Sequence, residues 1–228
     1  MKIDSSSTSS PPPLEGVGGR LLVKVCGMRD SQNIQELAKL KPDYMGFIFY
    51  SNSPRNAASI DKAVLSTLPL SIQKVGVFVN ESVEVMRETA KSYGIDVLQL
   101  HGGETPLQCL QLREEGYIIF KAFPIAEESD FDILTDYEGC CDYFLFDTKT
   151  PQHGGSGVKF DWGLLQHYQG ETPFFLSGGI ELNDANAIKQ ITHPKFVAVD
   201  VNSKFEIEPG LKDIDKLNEF IERLEIND

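Results

Sequence analysis

Short apolar runs alternate with longer mixed segments along most of this chain. The runs are rich in Val, Ile, Leu and Phe, and such runs are typical of strands that are buried on both faces. The eight runs are LLVKVCGM, YMGFIFY, QKVGVFVN, VLQLHG, YIIFKAF, YFLFDT, FFLSGG and FVAVDVNS. This repetition predicts a sheet of parallel strands joined by crossover segments.

Most of the intervening segments have the apolar periodicity of a helix. They are residues 31–40, 81–93, 105–115, 182–190 and 214–226. Segment 124–139 has few apolar residues, so we expect the helix after the fifth strand to be weak or missing. Eight such units in about 210 residues predict a single (β/α)8 barrel. A doubly wound open sheet is the alternative fold.

Composition at the amino end differs from the rest of the chain. Residues 1–19 are rich in Ser, Pro and Gly and predict a flexible tail before a barrel over residues 20–228. This stretch has no apolar core of a signal peptide, and no later stretch approaches the length of a membrane span. The four cysteines lack CxxC spacing, which favours reduced thiols and a cytoplasmic location. A net charge of −13 argues against nucleic acid or an anionic membrane as partner.

Polar residues and glycines follow the apolar runs at the predicted strand ends. In a (β/α)8 barrel the carboxyl ends of the strands form the active-site mouth, so these groups should meet there. In strand order they are Cys26, Arg55, Gln99 with His101, Asp147, Gly178 with Gly179, and Asp200 with Asn202 and Ser203.

Each of these residues has a chemical and a structural interpretation. Gly178 and Gly179 expose backbone N–H groups that can bind phosphate, or they only permit a tight turn. Asp147 ends an apolar strand as a candidate general acid or as a structural carboxylate. Arg55 can hold a carboxylate with two parallel hydrogen bonds, or be a surface arginine. His101 binds substrate or makes a structural hydrogen bond.

Two further features bear on ligands. The sequence TPQHGGSGVKFDW after the sixth strand contains Gly154, Gly155 and Gly157, and its length predicts a lid. No Cys, His and Asp residues have metal-ligand spacing, so we expect no metal.

Seven motifs of this chain resemble those of the phosphoribosylanthranilate isomerase family. In order, they are KVCGMRD, GFIFYSNSPRNA, KVGVFVN, LQLHGGE, FLFDTKTPQHGGSGVKFDW, FLSGGI and VDVNSKFEIEPGLKD. The resemblance runs from about Leu21 to the carboxyl end. It implies a (β/α)8 barrel without a cofactor that converts N-(5-phosphoribosyl)anthranilate to 1-(2-carboxyphenylamino)-1-deoxyribulose 5-phosphate in tryptophan biosynthesis.

The resemblance also implies roles for the strand-end residues. Cys26 would be the general base, Asp147 the general acid, and Arg55 the group that holds the anthranilate carboxylate. Gly178, Gly179, Asp200, Asn202 and Ser203 would bind the phosphate. From their position at the end of the fourth strand, and not from the resemblance, Gln99 and His101 are further candidates for substrate binding. The chain departs from the family turn VDVSSGVE, because Asn202 replaces a serine and Lys204 a glycine.

A cysteine base must lose its proton before it can act. A free thiol has a pKa of about 8.5, so only a few per cent is thiolate at neutral pH. Lys24 lies two residues from Cys26 on a strand and should share its face. We therefore predict that Lys24 lowers the pKa of the Cys26 thiol.

Other functions remain open at this point. Another phosphate-binding barrel enzyme is one alternative, either indole-glycerol-phosphate synthase, which would use a lysine, or a sugar-phosphate epimerase, which would use a metal. A catalytically silent barrel that binds a phosphorylated metabolite is the other. We expect a phosphorylated small molecule as ligand, and the sequence leaves open whether the protein is a monomer or a homodimer.

Overall fold

The computed structural model describes residues 20–149 and 159–225, which form a closed barrel of eight parallel strands. The strands are β1 Leu22–Val25, β2 Tyr44–Ile48, β3 Gln73–Phe78, β4 Val97–Leu100, β5 Ile118–Ile125, β6 Tyr143–Thr148, β7 Phe174–Leu176 and β8 Phe196–Val201. The predicted barrel is confirmed and the open sheet is excluded. The predicted tail, residues 1–19, and the lid residues Gly154, Gly155 and Gly157 lie outside the described residues.

The barrel closes where β1 pairs with β8. Leu22 lies opposite Ala198 and Lys24 opposite Asp200 in the parallel register. The end of β1 also contacts its other neighbour, because Gly27 N donates to Gly46 O on β2 at 2.9 Å. The first and last strands therefore meet side by side at the mouth.

Strand residues alternate between the barrel interior and the helix-facing side, as the two-residue period of a strand requires. The interior is filled by a compact apolar cluster that includes a group of four aromatic rings. The ring centroids lie 4.7 to 5.5 Å apart. The rings belong to Tyr44, Phe120, Tyr143 and Phe175. Below the mouth the barrel is thus a packed core, with polar groups above it.

The helices cover the outer face of the barrel. They are α1 Ser31–Lys39, α2 Lys62–Ser66, α3 Val83–Tyr93, α4 Pro106–Glu114, α5 Ala185–Lys189 and α6 Ile214–Glu225. Four of the predicted helices are confirmed to within two residues as α1, α3, α4 and α6. The predicted helix over 182–190 is instead a 3₁₀ turn, Leu182–Asp184, followed by the short α5.

The segment after β5 contains no α-helix, as predicted. It forms a 3₁₀ run, Glu128–Tyr137, and a shorter 3₁₀ helix, Trp162–His167, follows β6. The buried residues of the longer run are Phe131, Leu134 and Tyr137. This spacing of three matches the three residues per turn of a 3₁₀ helix, so only that winding buries all three side chains on one side.

A small hairpin follows β8 that the apolar pattern did not predict. A 3₁₀ turn, Ser203–Phe205, leads into β9 Glu206–Glu208, which pairs antiparallel with β10 Leu211–Lys212. Gly210 makes the reversal at φ 87°, a conformation that favours glycine. The hairpin places Lys212 opposite Glu206.

Among the described residues, no helix is long and apolar enough to cross a membrane.

Candidate active site

The ends of β1, β4, β6 and β8 bring several of the predicted site residues to one mouth of the barrel. Cys26 packs with the interior cluster. Asp147 near the end of β6, and His101 and Asn202 just after β4 and β8, lie an even number of positions beyond an interior residue and so face the interior. The structure therefore gathers candidate base, acid and binding groups on one face.

Cys26 sits in a tight cradle between β8 and β2. Its side chain is 4% exposed, and its N–H donates to Val201 O at 2.9 Å. A Cβ atom added to Gly46 would lie 2.7 Å from the Cys26 sulfur. Only a glycine at this position of β2 leaves room for the thiol.

The charges around Cys26 act on its titration in opposite directions. Burial raises the pKa of the Cys26 thiol, the cations of Lys24 and Lys212 lower it, and the Asp200 carboxylate raises it. Lys24 is buried beside Cys26, and its cation lowers the pKa of the thiol. Its effect has the predicted sign, but burial outweighs it, so the pKa lies above its ordinary value.

Lys24 and Asp200 form a buried ion pair across the seam where the barrel closes. Lys24 Nζ donates to Asp200 Oδ1 at 2.8 Å, and the Lys24 side chain is fully buried. Burial raises the pKa of Asp200, against the opposing effect of Lys24. Asp200, predicted as a phosphate ligand, thus points into the barrel and already pairs with a cation.

Asp147 and His101 form a second pair at the mouth. His101 Nε2 lies 3.2 Å from Asp147 Oδ2, and Asp147 Oδ1 accepts from Thr148 N at 2.8 Å. Below them, buried Gln99 contacts His101 Nδ1 through Nε2 at 2.8 Å. Gln99 therefore lies beneath the histidine and fixes its ring, while the pair itself is partly exposed at the mouth.

Arg55 is held by a carboxylate that we did not predict. Its Nε donates to Glu206 Oε1 at 2.8 Å and its Nη2 to Glu206 Oε2 at 2.6 Å. Buried Lys212 donates to the same carboxylate at 2.7 Å. Burial alone would raise the pKa of Glu206, but these bonds to Arg55 and Lys212 lower it. The loop after β2 is thereby tied to the hairpin after β8.

The predicted phosphate glycines adopt the backbone that only glycine takes readily. Gly178 and Gly179 have φ angles of 91° and 65°. A Cβ atom on Gly178 would lie 2.9 Å from Asp147 Oδ1, so this turn passes close to the end of β6. Ser203 begins the turn after β8, and Asn202 precedes it. The turn after β7 therefore lies beside the end of β6 at the mouth.

Glu206 and Lys212 are the site residues that the sequence interpretation missed. Both lie within the quoted motif VDVNSKFEIEPGLKD, but the apolar pattern showed no strand there. The Pro209 and Gly210 pair is a turn signal that could have revealed the hairpin. Its register, which brings Lys212 beside Glu206, is set by tertiary contacts.

No group of three or more His, Cys, Asp or Glu side chains could hold a metal ion in the part of the chain that the structure describes.

Barrel closure and the polar groups at its carboxyl mouth define the class of protein: a (β/α)8-barrel enzyme. The model of the family described as N-(5'phosphoribosyl)anthranilate (PRA) isomerase matches residues 23–223. The chain belongs to this family. It is an isomerase that catalyses the Amadori rearrangement of N-(5-phosphoribosyl)anthranilate in tryptophan biosynthesis.

Individual relatives agree with the family match. The N-(5'-phosphoribosyl)anthranilate isomerase of Parabacteroides distasonis is 52% identical over 206 residues, covering 90% of this chain and 93% of that protein. The crystal structure of the Thermotoga maritima enzyme, which is dimeric, is 32% identical with a TM-score of 0.78 and covers 90% and 98% of the two chains.

A third solved structure contains a ligand. It is a phosphoribosyl anthranilate isomerase in complex with reduced 1-(o-carboxyphenylamino)-1-deoxyribulose 5-phosphate. It is 28% identical, has a TM-score of 0.75, and covers 90% of this chain and 98% of that one. Family membership decides against the synthase, epimerase and silent-barrel alternatives.

Proposed function

We propose that Cys26 and Asp147 are the base and the acid of the rearrangement. One observation carries the proposal: both residues occupy interior-facing strand ends at the same mouth. Asp147 donates a proton to the furanose ring oxygen, and the ring opens to a Schiff base. The Cys26 thiolate then removes the proton on C2', which gives an enolamine that tautomerises to the ketone.

Gln99 and His101 support the acid in this proposal. Gln99 Nε2 lies 2.8 Å from His101 Nδ1, and His101 Nε2 lies 3.2 Å from Asp147 Oδ2. The second contact orients the carboxyl group toward the mouth. His101 is also partly exposed there, which supports a substrate contact.

Arg55 is proposed to bind the anthranilate carboxylate. Glu206 engages the Nε and Nη2 atoms on one edge of the guanidinium group. An arginine has five N–H donors, so the outer edge with Nη1 can still take a second carboxylate. Glu206 thus orients Arg55 while leaving this edge for the ligand.

The phosphate is proposed to bind on backbone N–H groups of Gly178 and Gly179 together with Asn202 and Ser203. Asn202 Oδ1 accepts from Lys212, so the amide Nδ2 can donate to an anion. Asp200 is reassigned as the interior partner of Lys24, because a second anion would repel the phosphate. Lys204, at the position of the family glycine, adds a cation to the same turn.

We also propose a cellular location, a class of ligand, a domain organisation and an oligomeric state for the enzyme. The four cysteines are free in the described residues, which supports a reducing, cytoplasmic location. We propose a phosphorylated small-molecule ligand, one barrel domain that begins at residue 20, and a monomer or homodimer. Light scattering on the purified protein distinguishes the two oligomeric states.

The acid and base roles are tested by steady-state turnover of fluorescent phosphoribosylanthranilate. Cys26→Ser and Asp147→Asn should each lose about a thousandfold or more in kcat with a modest change in KM. Cys109→Ser, a buried cysteine outside the mouth, is the matched control and should keep wild-type kcat. Near-normal kcat in either site variant would refute that residue's role.

A further inference from the structure

Lys212 contacts no substrate atom in the proposed mechanism, yet it is among the most buried of the described residues. It is 1% exposed, and its Nζ donates to Asn202 Oδ1 at 2.6 Å and to Glu206 Oε1 at 2.7 Å. An ammonium group is costly to bury, so such groups are retained where they are paired or used.

The backbone of Lys212 is fixed as firmly as its side chain. Its N–H donates to Asn33 Oδ1 at 2.7 Å, and its carbonyl accepts from Asn33 Nδ2 at 2.9 Å. Asn33 is itself buried on α1. The hairpin strand β10 is thereby anchored to the helix that follows Cys26.

The Lys212 ammonium is linked through Asn202 to the turn that carries Cys26. Asn202 Oδ1, which accepts from Lys212, would be 2.7 Å from a Cβ atom on Gly27, the residue after Cys26. The stem of Arg55 covers the other side of that glycine, 2.8 Å from the same position. The charge of Lys212 acts directly on the thiol titration.

Charged groups from three strands act on Cys26. Lys24 on its own strand, Asp200 on β8 and Lys212 on β10 all act on the thiol, and the β2 residue that faces it is the uncharged Gly46. Behind Lys212 the network continues through Glu206 to Arg55. Lys212 thus shares the Glu206 carboxylate with Arg55, and a Cys26 thiolate is a further anion that the charge of Lys212 can stabilise.

We propose that Lys212 is a positioning residue for Cys26, a buried cation held beside the thiol that stabilises its thiolate form for proton abstraction. The inference rests on the proposed role of Cys26 as base. No atom of Lys212 is required to touch the substrate. Glu206 and Asn202 fix the ammonium group, and Asn33 fixes the strand that presents it.

The titration of Lys212 agrees with this arrangement. Burial lowers the pKa of Lys212 to about 8, against the opposing charge of Glu206. The protonated lysine and the thiolate therefore stabilise each other, because opposite charges attract more strongly in a buried site than in water.

The test measures the thiol itself, independently of turnover. Wild type, Lys212→Met and Lys212→Arg are alkylated with iodoacetamide across pH 6 to 10, and modification of Cys26 is followed by peptide mass spectrometry. In Lys212→Met the alkylation rate at neutral pH should fall about tenfold or more, with its midpoint moved to higher pH. Lys212→Arg should restore most of the rate because it keeps the charge.

A matched control separates charge from general damage. Lys121→Met also removes a buried lysine from an ion pair, with Glu104, but on the outer face of β5. It should leave the alkylation profile of Cys26 unchanged. If Lys212→Met does not fold, Lys212→Met with Glu206→Gln removes both charges of that pair, and the same fall in rate is expected.

Turnover supplies the second measurement. The kcat/KM of Lys212→Met should recover as pH rises, because the thiolate then forms without the lysine, whereas a purely structural defect would persist at all pH values. An alkylation profile equal to wild type in a folded Lys212→Met protein would overturn the inference. Full activity of Cys26→Ser would instead refute the proposed base and leave the thiol measurement standing.

Discussion

At the scale of single residues, two buried carboxylates pair with the cations near the barrel mouth. Glu206 lowers the free-energy cost of burying Lys212 and also orients Arg55. Asp200 lowers the free-energy cost of burying Lys24. Removing one member of a buried pair leaves an uncompensated charge, so these carboxylates matter for stability as well as for binding.

Glu206→Gln should lower the free energy of unfolding at neutral pH by about 3 kcal/mol, because Lys212 and Arg55 lose a buried counter-charge. The folded-state pKa of Glu206 lies below its usual value of 4.5. Its stabilisation is therefore present above pH 4.5 and is lost as pH falls further.

Urea unfolding at pH 7 and at about pH 3 checks this prediction. The gap between wild type and Glu206→Gln should narrow at the lower pH. An equal difference in unfolding free energy at both pH values would show that the charge of Glu206 contributes nothing to stability.

The sequence interpretation of the site relied on the types of residue found at the predicted strand ends. Cys26, His101 and Asp147 could be placed because strand ends converge in a barrel, whatever the side-chain details. Glu206 could not be assigned as the partner of Arg55, because 151 residues separate them and their contact depends on a hairpin register. Asp200 was placed on the correct strand end, but its pairing with Lys24 follows from barrel closure.

At the scale of elements, the helix predictions that were confirmed are those for segments with a strong apolar periodicity. Long segments with a strong helical pattern, such as α3 and α6, were predicted almost to their ends. Segment 128–137 instead repeats its buried residues every three positions, and the short segment 182–190 holds only one turn of α-helix after a 3₁₀ turn. Short elements take their winding from packing, which local sequence does not specify.

Gly46→Ala tests the fit between β2 and the end of β1. The added methyl group would lie 2.7 Å from the Cys26 sulfur, so the thiol must move. We expect a loss of about 1 to 3 kcal/mol in stability and a fall in kcat far larger than that loss would cause in a folded protein.

Gly76→Ala on β3 is the matched control for this prediction. Its methyl group would meet the Phe78 ring at 2.9 Å, away from Cys26. Similar destabilisation with normal kcat is expected there. Equal kcat in both variants would refute a strict requirement for space beside the thiol.

At the scale of the whole molecule, the barrel closes through a buried ion pair. Lys24→Met alone should cost about 3 to 5 kcal/mol, because Asp200 is left buried without a cation. The double variant Lys24→Met with Asp200→Leu should recover most of that loss, since apolar groups of similar size replace both charges.

Urea unfolding of wild type, the single variant and the double variant measures this coupling. A double variant no more stable than Lys24→Met would show that the pair itself is required for closure. Turnover should stay low in both variants, because the cation beside Cys26 is absent.

The bond between Asn33 and the Lys212 backbone joins positions 179 residues apart, and Lys24 reaches its carboxylate across 176. A ribosome that has released the first two thirds of the chain has therefore produced Cys26 without Asp200 or Lys212. Until the final hairpin emerges and docks, that sulfur belongs to an ordinary thiol in a nascent chain. The charged surroundings of Cys26 are therefore completed last, and an unfinished or truncated product has the cysteine without Asp200 and Lys212 around it.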